Sequence, residues 1–308
     1  MQQLTLKKSV KIQGIGLHSG KAVTMVLHPA PINSGIIFKR IDLKNSKNPS
    51  QNIVLAKYNY VKETTLSSTL VNDYGVQVGT VEHFISALAY LRIDNLLIEI
   101  DAPEVPILDG SAQVFIKEIL HAGLATQDAP KKILRILKPV EVVTEKWQVK
   151  IIPHDQSIFS LDINFNDNII QQQTYTHNLD LDDYEKDIAP ARTFCYLKDV
   201  EYLQSKGLAL GGSLENAIVI DNDKVLNPEG LRFNNEFAKH KVLDAIGDLY
   251  LGGYTIKGHF FGVKSGHKAN NLLLRAIFNN SSNYKIEDDL SYYRIPYFYT
   301  TENILNKY

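Results

Sequence analysis

Two kinds of hydrophobic pattern alternate along the chain. Apolar positions recur with period two in Ser9-Val10-Lys11-Ile12 and in Ala22-Val23-Thr24-Met25-Val26-Leu27, on either side of the glycine-rich stretch 14–20, which predicts a hairpin with a long connection. A second hairpin is expected from 67–71 and 76–78 around the turn Asn72-Asp73-Tyr74-Gly75. The pattern then changes to an apolar helix over 80–91, with Thr80 as its expected cap. It is followed by a buried strand at 95–100, a proline-braced loop at 102–110, and a helix capped by Ser111 and running to Leu120. Residues 123–130 have the composition of a linker, and strands resume at 132–136.

The second part repeats this order: strands, a helix around His240, a strand over 256–263, a loop, and a helix around 270–277. The spacing supports the repeat, since His83 stands 28 residues before Ser111 (111 minus 83) and His240 stands 29 before Ala269 (269 minus 240). The expected fold class is therefore α+β, with two similar domains at 1–125 and 131–308. Each would be a mainly antiparallel sheet with helices packed on one face, and pairing them would place a site at the domain interface.

The helix over 235–249 is unusual in its polar stripe. His240, Asp244 and Asp248 fall at i, i+4 and i+8 on one face, while Val242, Leu243, Ile246 and Leu249 make the remainder apolar enough to be buried. A buried carboxylate requires a cation or several donors. An imidazole and a carboxylate one turn apart supply two metal ligands, although a solvent-capped His-Asp pair would share the spacing. The first helix offers a third ligand in His83 and a candidate base in Glu82, adjacent in its first turn. A dipole-stabilised glutamate and a core-edge histidine would look the same.

Composition narrows the class. With 44% hydrophobic and 22% charged residues the chain is that of a soluble globular protein, long enough for two cores. Near-balance between 33 basic and 34 acidic residues implies no general nucleic-acid or membrane field. Cys195 is the only cysteine, which excludes an internal disulfide framework or a thiolate zinc cluster. No signal core or membrane-spanning run is evident, so a reducing cytoplasm is expected. The glycines at 14–20 lack the spacing and following helix of a dinucleotide fingerprint, and His18 within them is expected to bond the backbone, with a position facing a site as the alternative.

Several segments together, Gly14-Ile15-Gly16-Leu17-His18-Ser19-Gly20, Thr80-Val81-Glu82-His83, Ile107-Leu108-Asp109-Gly110-Ser111-Ala112, Ala191-Arg192-Thr193-Phe194, Gly211-Gly212-Ser213, the run from His240 to Asp248 and Lys264-Ser265-Gly266-His267, resemble the bacterial UDP-3-O-acyl-N-acetylglucosamine deacetylases. The likeness covers nearly the whole chain in the family's order. It implies a hydrolase of the committed step of lipid A, and hence lipopolysaccharide, biosynthesis, acting on UDP-3-O-acyl-N-acetylglucosamine. It also implies one zinc per chain held by His83, His240 and Asp244, and a catalytic pair of Glu82 and His267, with Asp248 holding His267 and Thr193 near the oxyanion. On the substrate side it implies that Phe165 stacks on uracil, that Phe194 packs on the sugar, and that Lys146, Lys241 and Lys264 meet phosphate or sugar oxygens. Residues 193–222 resemble the family's inserted β-α-β unit, whose channel for the acyl chain would be lined by Val200, Ala209, Ser213, Leu214, Ala217 and Val219. Ser67 and Ser68 stand where some members carry cysteine, an exchange expected to matter little to catalysis. Asn168 replaces a proline loop.

The chemistry of the residues agrees with the resemblance. Two imidazoles and one carboxylate leave a tetrahedral zinc site open at one position, as in catalytic sites. Glu82 suits proton removal from water, and an aspartate beside His267 favours the imidazolium needed for protonating a leaving amine. Two other readings compete. A mononuclear iron(II) oxygenase also uses two histidines and a carboxylate, though usually on barrel strands rather than on helices. A metal-stabilised binding module would not need an open position with an acid and a base beside it. A monomer in the cytoplasm is expected, with peripheral contact at the inner membrane left open by the acylated substrate.

Overall fold

The computed structural model describes residues 1–43, 49–165 and 167–290. The end of the second expected domain, 291–308, lies outside the described residues. Six helices occur among the described residues: α1 (Glu82–Tyr90), α2 (Gln113–Ala122), α3 (Tyr184–Asp187), α4 (Leu197–Ser205), α5 (Glu236–Tyr250) and α6 (His267–Phe278).

The first half is a five-stranded sheet in the order Val10–Ile15, Ala22–Pro29, Leu96–Ile100, Ile36–Arg40, Ile53–Leu55. Its neighbours are antiparallel apart from the central pair, in which Ile36–Arg40 runs parallel to Leu96–Ile100. The second half repeats this arrangement. Val140–Val143 and Gln148–Ile152 form a hairpin against Thr255–Val263, and Ser157–Asn164 lies parallel along that strand's other edge with Gln172–Asn178 outside it. In both halves the strand following the central helix, α1 or α5, becomes the middle of the sheet. The fold is therefore α+β with the internal repeat that the spacing implied.

Each half also carries a small extra sheet inserted before its central helix. In the first it is Val61–Glu63, Thr69–Val71 and Gln77–Val78, and in the second Phe194–Tyr196, Ile218–Asp221 and Lys224–Val225. The second insert is a β-α-β unit: Phe194–Tyr196 pairs in parallel with Ile218–Asp221 across α4.

Three local expectations are corrected. Ser111 is not the cap of α2: the cap position is Ala112, and the Ser111 hydroxyl donates to Asp109 Oδ1 at 2.8 Å within the preceding turn. Residues 124–130, expected as a linker, form a strand, Leu124–Pro130, antiparallel to Gln2–Leu6. The polar composition there fits one solvent-facing edge of a two-stranded ribbon as well as it fits a linker. Thr80 does not cap α1. The cap position is Val81, and Thr80 has φ 52° with its hydroxyl donating to Glu104 Oε1 at 2.8 Å. A buried carboxylate has captured the capping hydroxyl.

The helices α1 and α5 cross in the middle of the molecule, with α2 beside α1 and α6 beside α5. Both are buried nearly all round: α1 from Glu82 through Ala89, and α5 at every position except Lys241 and Tyr250. Their crossing is too close for a side chain at Gly247. A Cβ there would lie 2.0 Å from the Glu82 carbonyl oxygen and 3.1 Å from the Ser86 nitrogen. Overpacking of this kind forces backbone movement. Gly247→Ala should therefore lower the unfolding free energy by about 3 kcal/mol, the upper end for overpacked positions. Urea denaturation provides the measurement, and an unchanged midpoint would show that the helices can part without loss.

Candidate metal and active site

The α1–α5 crossing brings His83 to His240 and Asp244. One ligand atom from each of the three lies within 4.8 Å of the others, and all three side chains are buried. Asp244 Oδ1 is 3.4 Å from both His83 Nε2 and His240 Nε2, and the imidazole centroids are 4.9 Å apart.

The surroundings prepare these atoms as ligands. His240 Nδ1 is 3.1 Å from the carbonyl of Ala191, so the ring donates there and presents Nε2 as a lone pair. Burial pulls the His240 imidazole down to about 3, which keeps it neutral. The Lys241 ammonium donates to Asp244 Oδ2 at 2.6 Å, leaving Oδ1 as a buried oxygen without a hydrogen-bond partner. Burial opposes ionisation of Asp244, but the nearby His240, Lys241 and His83 outweigh it and hold the carboxyl well below its usual range. An orphaned carboxylate oxygen facing two imidazole nitrogens is a donor set that fits a divalent metal of the zinc type.

Beside this cluster stands a second polar group. His267, the first residue of α6, places Nδ1 2.8 Å from Asp248 Oδ2 and Nε2 3.8 Å from Glu82 Oε1. Burial would lower the His267 pKa, yet Asp248 and Glu82 together raise it to about 9, so the ring is an imidazolium at neutral pH. The Glu82 carboxyl is pushed up by burial, with the neighbouring histidines opposing. One buried group is thus poised to accept a proton and its neighbour to give one.

Asp248 is held on both oxygens. Oδ1 accepts from the Ser68 hydroxyl at 2.6 Å, and Oδ2 accepts from Asn270 Nδ2 at 2.9 Å as well as from His267. The Ser68 backbone N–H donates to Glu82 Oε2 at 2.9 Å. Asn270 could have been found from its place one turn after His267 on the same helix face, and the Lys241–Asp244 pair from its i, i+3 spacing. Ser68 carries no such signal, because it reaches the site from another sheet.

A cavity of about 390 Å³ opens beside the cluster. Val200, Ala209, Ser213, Leu214, Ala217 and Val219, all expected on the acyl channel, line it together with Thr193 and Phe194. Leu17, Leu66, Leu197, Leu203 and Leu226 complete its apolar wall and were not anticipated. The Phe194 ring packs edge-on against His240 with centroids 6.2 Å apart, so the cavity wall and the metal-ligand cluster are in contact. His18 also faces the cavity; its Nδ1 lies 3.4 Å from the Ala209 N–H and its Nε2 has no partner.

The walls are held by buried polar clasps. Arg192 donates to Glu236 at the start of α5 from both backbone N (3.1 Å) and Nε (2.9 Å), and also pairs with Glu229, which fixes Thr193 and Phe194 against α5. Glu104 accepts from the backbone N–H groups of His18 and Ser19, each at 2.8 Å, and so anchors the glycine-rich loop. That loop meets the second insert through Gly211 N–H to Leu17 O at 3.0 Å, where a Cβ on Gly211 would lie 2.3 Å from Gly16 O.

The remaining residues named from the sequence lie around this centre. Phe165 is 5.7 Å from Phe194 between ring centroids and borders a second, shallower basin of about 610 Å³ with Asp167, Asn168, Gln171, Asn222 and Asp223. Lys146 is exposed in the turn joining Val140–Val143 to Gln148–Ile152, and Lys264 is exposed just past Val263, the register partner of Gln148. These two lysines therefore share one end of the second sheet. Lys241, expected to meet substrate oxygens, donates one bond to Asp244 Oδ2 and is 19% exposed at its side chain.

Comparison with known proteins places this geometry in a family. The family model described as UDP-3-O-acyl N-acetylglycosamine deacetylase matches residues 3–279. The chain is 46% identical over 303 residues to the UDP-3-O-acyl-N-acetylglucosamine deacetylase of Actinobacillus succinogenes, covering 97% of each chain. It is 49% identical over 283 residues to the protein of that name from Mannheimia succiniciproducens, covering 91% of each. With that of Neisseria meningitidis serogroup C it shares 48% over 286 residues, covering 92% of each. A match of this length runs through both halves, both inserts and every residue of the buried cluster, and the chain belongs to the UDP-3-O-acyl N-acetylglycosamine deacetylase family.

Proposed function

We propose that this protein removes the N-acetyl group from UDP-3-O-acyl-N-acetylglucosamine, giving the free amine and acetate as the committed step of lipid A biosynthesis. One zinc ion per chain would be held by His83, His240 and Asp244. The observation that carries this reading is the juxtaposition of three convergent metal-ligand atoms, a Glu82–His267 pair beside them and an apolar cavity whose wall, at Phe194, packs on His240. All of these groups come from one chain, so a monomer suffices. Among the described residues no helix is long and apolar enough to cross a membrane, which fits action in the cytoplasm on a substrate that is itself amphipathic.

Zinc would supply Lewis acidity, making water acidic at neutral pH and polarising the acetamide carbonyl. Glu82, raised by burial, takes the proton of the attacking water as its oxygen bonds to the acetyl carbon. His267 gives its proton to the sugar nitrogen as the C–N bond breaks, and Asp248 steadies the imidazolium before the transfer. Thr193, on the cavity wall with its backbone N–H fixed to Gly110 O at 2.9 Å, is assigned to the oxyanion side. The acyl chain would occupy the apolar cavity, Phe194 would pack on the sugar, and Phe165 would stack on the uracil. Asp167 and Asp223 make the shallow basin unsuited to phosphates, so the diphosphate is assigned towards Lys146 and Lys264. Lys241 acts through Asp244 by occupying Oδ2. An oxygenase reading has no use for the Glu82–His267 pair, and a turnover that consumed oxygen would be needed to revive it.

Four outcomes are expected. Metal-stripped protein should release no acetate from the substrate and should recover with about one equivalent of zinc, the complement of a single open site. Glu82→Ala should lower kcat by about 10²- to 10⁴-fold, the range for loss of a general base; full activity of stripped enzyme would remove the metal from the reaction. The kcat/KM profile should be bell-shaped. His267 must be protonated to act, so activity falls as pH rises through about 9, and it falls on the acid side as Glu82 is protonated. A profile with one limb, unaltered by Glu82→Gln, would break the pairing. Finally, Ala217→Leu should raise KM for a long-chain acyl substrate by about tenfold or more, since added methylenes in an apolar pocket discriminate at that level. A short-chain analogue should be unaffected, and equal effects on both would move the acyl chain out of this cavity.

A further inference from the structure

Ser68 is 1% exposed and lies just before the strand Thr69–Val71, in the small sheet inserted ahead of α1. It bonds to both carboxylates that flank His267. Its backbone N–H donates to Glu82 Oε2 at 2.9 Å, and its hydroxyl donates to Asp248 Oδ1 at 2.6 Å. Glu82 belongs to α1 and Asp248 to α5, so this one residue ties a side chain of the first half to a side chain of the second.

The bond to Asp248 settles a geometric question that the His267 contact leaves open. A carboxylate anchored on one oxygen can rotate, and its histidine partner rotates with it. With Oδ1 on Ser68 and Oδ2 on His267 and Asn270, rotation of Asp248 would break a charge-assisted bond in a water-poor interior. With three donors the carboxylate is engaged as an acceptor on both oxygens. The proton between Asp248 and His267 then resides on Nδ1, and Nε2 is turned towards Glu82, 3.8 Å away. An apolar side chain at 68 would keep the backbone bond to Glu82 and lose only the bond to Asp248. The buried Oδ1, left unpaired, would seek another donor and turn His267 away.

We propose that the Ser68 hydroxyl is a positioning group for the deacetylation. It locks the Asp248–His267 pair in the orientation that points Nε2 at the reacting atoms, while the Ser68 backbone keeps Glu82 in register. The inference rests on the deacetylase reading for its catalytic consequence, but the orientation of His267 can be observed without turnover.

The test compares zinc-loaded wild type, Ser68→Ala and Ser68→Thr. Acetate release from UDP-3-O-acyl-N-acetylglucosamine gives kcat and KM, and the downfield proton NMR signal of the His267 ring N–H, assigned by its absence in His267→Gln, reports the Asp248 contact. In Ser68→Ala, kcat should fall by about 10- to 100-fold, the scale of a small misplacement of a reacting group. KM should stay within about twofold, because no substrate contact is removed. The ring N–H signal should broaden or vanish. Ser68→Thr, which retains the hydroxyl, should restore both the rate and the signal. Unchanged kcat and signal in Ser68→Ala would overturn the proposal, as would a threonine variant as impaired as the alanine one. If wild type releases no acetate while the signal responds to the two variants as described, the deacetylase reading fails and the orienting role of Ser68 stands.

Discussion

Everything at the centre of this molecule depends on how closely α1 and α5 approach. Gly247 presents bare backbone to the first turn of α1, and the Glu82 carbonyl sits where a side chain would otherwise be. That contact aligns Glu82 and His83 on one helix with His240, Asp244 and Asp248 on the other. Two helices at an ordinary separation of 8–10 Å would leave room for side chains between them and could not bring five polar groups into one buried cluster. The site is thus a property of the helix crossing, and the two sheets serve to hold the helices against each other.

A buried cluster of this charge is stable only if each polar atom has a defined partner. Ala191 fixes the tautomer of His240, Lys241 occupies one oxygen of Asp244, and Ser68 with Asn270 completes Asp248. After these assignments Asp244 Oδ1 is left bare between the two imidazoles. The same environment separates the two neighbouring titratable groups: burial raises Glu82, while two carboxylates hold His267 as a cation. Partner placement, more than the identity of any one residue, distinguishes the His83–His240–Asp244 cluster from the Glu82–His267 pair.

The two inserts occupy equivalent places in the repeated topology, each just before its half's central helix, and they have diverged in role. The first contributes Ser68 to the interior of the site. The second becomes a β-α-β unit around an apolar cavity and closes against the glycine loop of the opposite half. Unequal elaboration of one connection accounts for how a repeated scaffold supports an asymmetric pocket.

Much of this was legible in the chain. The α+β class and the internal repeat followed from the order of period-two and helical segments and from the matched spacing of His83 and His240 to their following helices. The convergence of His240 and Asp244 followed from their i, i+4 placement, and the resemblance to a known family named residues with no local signature, such as His267, which the fold brings against Asp248 and Glu82. The ribbon at 124–130 was not legible, because a polar edge strand and a linker share a composition. Nor was Thr80, whose hydroxyl serves Glu104 across a loop rather than its own helix. Ser68 read as an exchange of little consequence, yet it lies against both carboxylates, 180 residues from Asp248. The sequence by itself determined which helices carry the clustered polar residues and which face of each is polar, since helical geometry is set by near neighbours. Only the tertiary structure decided which polar atom satisfies which, because those bonds join segments far apart in the chain and depend on distances that a single glycine at the helix crossing makes possible.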